Sequence, residues 1–517
     1  MACLKRRRLA FAALVRALTE IDAEVLGRVI QAAEALPEVD ECGDIEMLTA
    51  AQALPANPQE AAEVESLRGR LSEARIEDEM GRYERGLRIS TEVLSRSDVL
   101  DYRPLQAEAL FVHGSLLTGK GDYEAADEIL NRGVWRADVV RDDELLAETM
   151  AMLLGVLAER SHYEQGYGWR PHAEAVIERL GGDSFGEARL LAELCALISL
   201  HGDDGGEAIE LGTRALEITE GLFGRESIKN VGMLRVLGGA YYRAGKLEEA
   251  EQVFERELQL IEGRLGSEHP KVLACLNNLG AVKSARGDRA GALSLMRRSL
   301  ALGETILGSE HPSLATTIYN IGTLLTVGER RNDAEAQTYL ERALAINQKA
   351  HGREHRQNAM ILHGLAALSE SRDDLEGAIA YLEEAHAICG ETLEERAPLA
   401  LQIMGDLGEL YDDQGQPEKA LPLLERVFEL SEMDIGRASL RAEAGFHLVK
   451  VLRQMESRKS EIRGVLSESL ARFRGLYEDE LYEKEHGEMV AQLELWAREL
   501  ADHSPNSEDK AGPKQNP

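Results

Sequence analysis

Small residues recur along this chain at a nearly fixed interval, and that interval limits the fold more than any other feature. Ala250, Ala292, Ala336, Ala378 and Ala420 are separated by steps of 42, 44, 42 and 42 residues. Upstream of each stands an apolar–small pair: Leu237-Gly238, Leu279-Gly280, Ile321-Gly322, Leu365-Ala366 and Leu407-Gly408. Downstream stands a larger apolar residue: Phe254, Met296, Leu340, Leu382 and Leu424. The 44-residue step is accounted for by two extra residues in a turn near Gly328 to Asp333. A unit of this length is one supersecondary element that cannot bury both its faces alone, so the units must stack. Gly280 and Ala292 are expected where two helices cross, because a large side chain there would push the axes apart. Leu276, Leu279, Leu295 and Leu300 then fill the layer between neighbouring hairpins. The expected fold class is all-α, an α-solenoid of antiparallel helical hairpins.

The pattern extends outward with more variation. Gly114, Gly121-Asp122-Tyr123, Ala126 and Leu130 fit it upstream, as do Leu194, Gly202, Ala208 and Ala215 with one insertion. Gly81-Arg82-Tyr83 followed by Gly86 reads as a first repeat. Leu145 to Leu180 is helical in pattern but degenerate, with Trp169 and Ala173 as its best anchors. Downstream, Leu448 to Phe473 reads as a last, divergent hairpin, and Glu483 to Leu500 as a terminal helix covering the exposed end. About ten hairpins result. The expected organisation is an N-terminal helical segment (1–36), a linker with Pro37, Pro55 and Pro58 (37–60), divergent repeats (61–223) and regular repeats (224–433). A divergent hairpin with a capping helix (434–502) and a polar tail without structure (503–517) complete it.

Charge and cysteine content narrow the function. The 517-residue chain carries a formal net charge of −33, which repels phosphate backbones and argues against nucleic acids and anionic membranes as partners. Its five cysteines (Cys3, Cys42, Cys195, Cys275, Cys389) form no C-x-x-C pair and fit buried, unpaired thiols in a reducing compartment. No run reaches the roughly 18 apolar residues of a membrane helix. Lys5-Arg6-Arg7-Arg8 followed by Leu9 to Val15 mimics a signal peptide. Arg16 ends the apolar run and no small-x-small cleavage site follows, so an amphipathic first helix and a cytoplasmic location are expected.

The small–turn–small–large order resembles the tetratricopeptide repeat, which implies a right-handed superhelical solenoid. Its step here exceeds the usual ~34 residues. The surplus follows the second helix, where Leu265-Gly266-Ser267-Glu268-His269-Pro270 recurs as Leu307-Gly308-Ser309-Glu310-His311-Pro312. Gly224-Arg225-Glu226-Ser227 and Gly352-Arg353-Glu354-His355 are weaker echoes. With Leu276-Asn277-Asn278-Leu279-Gly280, these loops resemble the kinesin-light-chain class over about Gly224 to Met433. The ends are similar to another group. Ala2 to Arg8, Leu36-Pro37, Glu41-Cys42-Gly43-Asp44, His172 to Ala175 and Arg179 to Gly182 resemble the repeat region of myxobacterial-type serine/threonine kinases. That resemblance implies an alternative role as the regulatory region of such a kinase. The sequence holds no His-Arg-Asp, Asp-Phe-Gly or Val-Ala-Ile-Lys motif, so it is not expected to be an enzyme by itself.

Several motifs imitate catalytic ones. Gly182-Asp183-Ser184-Phe185-Gly186 fits the hydrolase nucleophile elbow, but that elbow needs a strand before it, and here helices are expected on both sides. Gly114 to Lys120 resembles a phosphate loop with Gly121 in place of its Ser or Thr, and no strand leads into it. His351 and His355 have chelating spacing but flank a glycine and lack a third ligand. His269 and His311 recur once per repeat, as loop caps would. Glu248, Glu249 and Glu251 read as a solvated helix face. No metal or cofactor is expected.

Function is instead expected on the first helices, which in tetratricopeptide arrays line a concave groove. The positions two before and one after the small residue are Asn278 and Ala281, Asn320 and Thr323, and Asp406 and Glu409, with Arg243 further along another first helix. Asparagine offers both a donor and an acceptor to a peptide backbone; it could equally bond a neighbouring helix. The acidic pair favours a basic or neutral peptide partner. The oligomeric state is not specified by these residues.

Overall fold

The computed structural model describes residues 2–19, 33, 36, 54–160, 162–182, 184–201, 205–326, 332–392, 397–431, 438–455, 458, 460–476 and 480–502. Most of the expected linker, the enlarged turn at 328–331, Gly202 and the tail at 503–517 lie outside them. The described residues form helices and no strand. The chain divides into two compact units, Met1–Leu302 and Gly303–Pro517.

The first unit opens with α1 (Ala2–Leu18), then runs through α2 (Pro58–Glu79), α3 (Tyr83–Leu100), α4 (Arg103–Lys120), α5 (Tyr123–Val140), α6 (Asp143–Glu159), α7 (Tyr163–Gly168) and α8 (Arg170–Leu180). It continues with α9 (Phe185–His201), α10 (Gly205–Phe223), α11 (Asn230–Arg243), α12 (Leu247–Leu265), α13 (Lys271–Ala285) and most of α14 (Arg289–Leu307). Ala13, Leu14 and Ala17 of α1 pack on Ile76 and Met80, which closes the beginning of the array. Phe11 and Val15 of the same helix remain exposed, so the apolar residues of α1 are not confined to its packed face as an amphipathic helix would have them.

The second unit contains α15 (Ala315–Thr326), α16 (Asp333–His351), α17 (Arg356–Glu370), α18 (Leu375–Thr392), α19 (Pro398–Asp413) and α20 (Pro417–Leu430). The helices α21 (Ala438–Gln454), α22 (Ile462–Leu476) and α23 (Glu480–Asp502) follow. The last hairpin therefore starts at Ala438, ten residues ahead of the expected Leu448. Its close crossing is made by Gly445, where an added Cβ would stand 2.0 Å from Ser469 Oγ. That small residue precedes the apolar run from which the helix was read.

Helices pair because tiny residues let their backbones approach. An added Cβ on Gly114 would lie 2.4 Å from Leu130, on Gly238 2.7 Å from Phe254, and on Gly280 2.9 Å from Met296. On Gly322 it would lie 2.8 Å from Leu340, and on Gly408 2.8 Å from Leu424. Each partner is the large second-helix residue of the repeat pattern. Ala250, Ala292, Ala336, Ala378 and Ala420 are all fully buried beside them. The register read from the spacing is the one that folds.

Two further devices recur with the repeat. Gly266 ends α12 at φ 92°, a backbone region that suits glycine, and the chain then turns into α13. There the Lys271 amide donates to His269 Nδ1 at 3.2 Å. The Ser313 amide donates likewise to His311 Nδ1 at 3.2 Å, and the Gln357 amide to His355 Nδ1 at 3.3 Å. The loop histidines thus cap first helices, and His351 stacks on His355 with ring centroids 4.5 Å apart. Second helices are joined by a second device, a row of ion pairs. Glu220 pairs with Arg256, Glu262 with Arg298 at 2.6 Å, and Glu304 with Arg342 at 2.6 Å. Glu251 also departs from the solvated face expected of it: it is half-buried and pairs with Lys283 of α13 at 2.6 Å.

The degenerate stretch shows where the pattern breaks. One second helix is split into α7 and α8 at Trp169, just ahead of Pro171, which has no N–H to continue the helical ladder. Trp169 packs with Trp135 and His172, all three ring centroids 5.6–5.7 Å apart, while Ala173 is fully buried.

Candidate functional site

A first helix has one face committed to its crossing, which fixes what the rest can do. With Gly280 turned into α14, Asn278 and Ala281 are half-exposed on α13. Asn320 and Thr323 flank Gly322 on α15 in the same way, and Asp406 and Glu409 flank Gly408 on α19. Arg243 ends α11 with its side chain exposed. Thr323 spends its hydroxyl on the Asn320 carbonyl of its own helix at 3.0 Å. Among the described residues, the side-chain amides of Asn278 and Asn320 have no hydrogen-bond partner, so neither holds a neighbouring helix.

In the second unit the first helices meet one another directly. Gly364 of α17 approaches α15 so closely that a Cβ would lie 2.9 Å from the Tyr319 ring and 3.5 Å from the Thr323 methyl. One residue away, His363 Nε2 lies 2.5 Å from Asp406 Oδ2 of α19. Thr323, His363 and Asp406 thus belong to one run of adjoining helices. Glu409 is half-exposed, and burial of its carboxyl raises its pKa, aided by the charges of Asp406, Asp413 and Glu370 and opposed by His447. Glu370 of α17 is raised likewise by burial and by Asp406 and Asp413. His363, Glu370 and His447 were missed by the sequence reading. Their signal was available as position: each lies on a first helix within a few residues of the small residue.

The imitations of catalytic motifs resolve into structural parts. Ser184 precedes α9, and its Oγ accepts from the Glu187 amide at 3.0 Å while Glu187 Oε2 accepts from the Gly182 amide at 2.6 Å. Ser184 thus caps the start of α9, and Glu187 reaches back past it to the Gly182 amide, with a helix on either side of the loop. Lys120 ends α4 and pairs with Glu84 at 2.7 Å, next to Gly121 at φ 85°. Cys195, Cys275 and Cys389 are buried free thiols, and burial raises the first to about 12 and the last to about 11. Such thiols are inert as nucleophiles. Among the described residues, no group of three His, Cys, Asp or Glu side chains is placed to hold a metal ion. No helix among them is long and apolar enough to cross a membrane.

Comparison with known proteins agrees on the repeat. Residues 229–305, 329–388 and 359–433 match the tetratricopeptide repeat family, within the stretch assigned to regular repeats. No curated protein matches the chain in sequence. Among solved structures, nearly identical TPR-like repeats ascribed to a Podosopora anserina kinesin light chain are 28% identical, covering 39% of this chain and 93% of that one, with a TM-score of 0.33. BtubC (BKLC) from P. vanneervenii is 20% identical, covering 44% and 90%, with a TM-score of 0.38. The apo quorum sensor NprR from B. thuringiensis is 18% identical, covering 71% and 99%, with a TM-score of 0.48. Residues 229–305 and 329–433 of this chain are tetratricopeptide repeats.

Proposed function

We propose that the protein is a non-catalytic scaffold that holds a partner polypeptide on the open faces of its first helices. One observation carries this reading. On successive first helices the small residue is buried at the crossing, while the polar residues flanking it stay half-exposed, and the Asn278 and Asn320 amides are uncommitted. An amide with free donors and acceptor is suited to the N–H and C=O groups of an extended segment, and it does not select a side chain. Asp406 and Glu409 favour a neutral or basic segment over an acidic one. A cytoplasmic setting in bacterial signalling rests on the resemblance of residues 2–44 and 172–182 to the repeat regions of serine/threonine kinases.

The test is capture from the native host with the full chain, comparing wild type with Asn278→Ala/Asn320→Ala. The reading expects a polypeptide retained by the wild type and lost by the variant, with the melting temperature unchanged. Equal retention by both would contradict it.

A further inference from the structure

One fully buried position recurs seven residues after the small alanine of the second helices. Ala215, Ser299, Ala343, Ala385 and Val427 fill it, each without exposed surface. In α12 the same position is Glu257, 2% exposed. The layer between hairpins thus takes a methyl, a hydroxyl or an isopropyl group there, and in one repeat it holds a carboxyl. Ser299 satisfies its hydroxyl by donating to the Leu273 carbonyl at 3.0 Å. Glu257 lacks such an outlet: its Oε2 is buried without a hydrogen-bond partner.

The groups packed around Glu257 do not compensate an ionised carboxylate. From α13 the Cys275 thiol faces it, but that thiol's one proton goes to the Phe254 carbonyl at 3.3 Å. From α11 the charge of Arg235 acts on it, yet among the described residues Arg235 forms no ion pair. Arg235 also acts on Glu193 of α9, so its charge is shared. Glu262 of α12 acts on the same thiol and is itself paired with Arg298 at 2.6 Å. An ionised carboxylate in such surroundings is costly, and the group keeps its proton instead. Burial accordingly raises the Glu257 pKa to about 7, against the opposing effects of Arg235 and Cys275.

We infer that the crossing of α12 and α13 is a proton-controlled latch: Glu257 is protonated while the two helices are packed, and its ionisation parts them so that the carboxylate reaches water. Because α13 carries Asn278, the latch also governs part of the face on which the partner is held. That consequence rests on the scaffold reading, whereas the latch itself does not. The direction follows from linkage. With the folded value, about 7, above the ordinary carboxyl value of 4.5, the packed state binds the proton more tightly. The stabilisation is complete below about pH 4.5 and is lost as the pH rises through 7. His269, which caps α13, works in the opposite direction, since burial lowers its pKa, and so does not imitate the latch.

The test uses the full chain without a partner, followed by amide hydrogen exchange and mass spectrometry at pH 6 and 8, with each rate divided by its intrinsic value. Opening of α12 and α13 is expected to rise on the order of tenfold at the higher pH. Glu257→Gln keeps the shape of the protonated carboxyl, and Glu257→Ala installs the side chain found at Ala215, Ala343 and Ala385. Both should abolish the rise. The helices α19 and α20, where Val427 fills this position, should show none in any of the three proteins. No rise in the wild type, or one that persists in either variant, would overturn the inference while leaving the scaffold reading intact. An equal rise in α19 and α20 would assign the effect to repulsion across the net charge of −33 and would overturn it as well.

Discussion

The first helices of the two units differ in what they present while agreeing in how they pack. In Met1–Leu302, α13 offers a neutral face with Asn278 and Ala281 beside Gly280, and α11 contributes Arg243. In Gly303–Pro517, α15 is similar, with Asn320 and Thr323, but α17, α19 and α21 bring carboxylates and histidines to the equivalent face. The crossing residues barely change: a Cβ added at Gly280 would stand 2.9 Å from Met296, and one added at Gly408 2.8 Å from Leu424. Packing confines the crossing to the smallest side chains and leaves the flanking positions free to vary. Side chains of different charge can therefore stand beside the crossings without altering them.

The strongest way to break this comparison is to enlarge a packed position in each unit. Ala250→Leu and Ala420→Leu insert three carbons at fully buried sites, and each should destabilise by about 1–3 kcal/mol through overpacking. Thermal unfolding followed by circular dichroism reads the effect, which should be alike in the two units. If one were silent, the crossings would not be equivalent.

The histidine caps give the next largest effect. Removing the acceptor at His269 or His355 with alanine should cost about 1 kcal/mol, as for other N-caps. Burial lowers the pKa of both, and His355, also repelled by His351 and Arg356, falls to about 4. With the folded value below the unfolded one, the unfolded chain binds the proton first. The stabilisation is complete above about pH 6.5 and is lost as pH falls towards 4. His355→Asn retains a capping side chain that does not titrate, so urea unfolding of this variant should lose less stability than wild type between pH 7 and 4.5. Identical pH profiles would exclude His355 as a contributor.

The smallest effect belongs to the ion pairs along the second helices. Both partners of Glu262–Arg298 keep roughly a third or more of their side chains in solvent. A double-mutant cycle with Glu262→Gln and Arg298→Gln should give a coupling of about 0.2–1 kcal/mol that shrinks in high salt. A coupling insensitive to salt would mean that the pair is less exposed than it stands here.

The repeat register could be read from the sequence because packing tolerates so little at a helix crossing. Gly114, Gly238, Gly280, Gly322 and Gly408 each leave no room for a Cβ, so their spacing survives the drift of everything around them. The split of a second helix at Trp169 was visible only as lost periodicity, since an aromatic cluster and a proline replace the usual contacts. The polar faces were partly legible. Asn278, Asn320, Asp406 and Glu409 follow from counting away from the small residue, and all are half-exposed. The histidine–carboxylate pairs were not legible, because their members come from separate repeats. Asp406 finds His363, and Glu443 finds His486, only when neighbouring first helices are laid side by side.

The separation of packing from presentation can be tested on a single helix, by calorimetric melting of Gly280→Leu beside Asn278→Ala. The two positions lie one turn-half apart on α13, one against Met296 and one half-exposed. Gly280→Leu should lower the melting temperature by several degrees for a cost of about 1–3 kcal/mol. Asn278→Ala should leave it within about a degree of wild type, as surface substitutions usually do. Equal shifts for both, or a silent Gly280→Leu, would contradict the account.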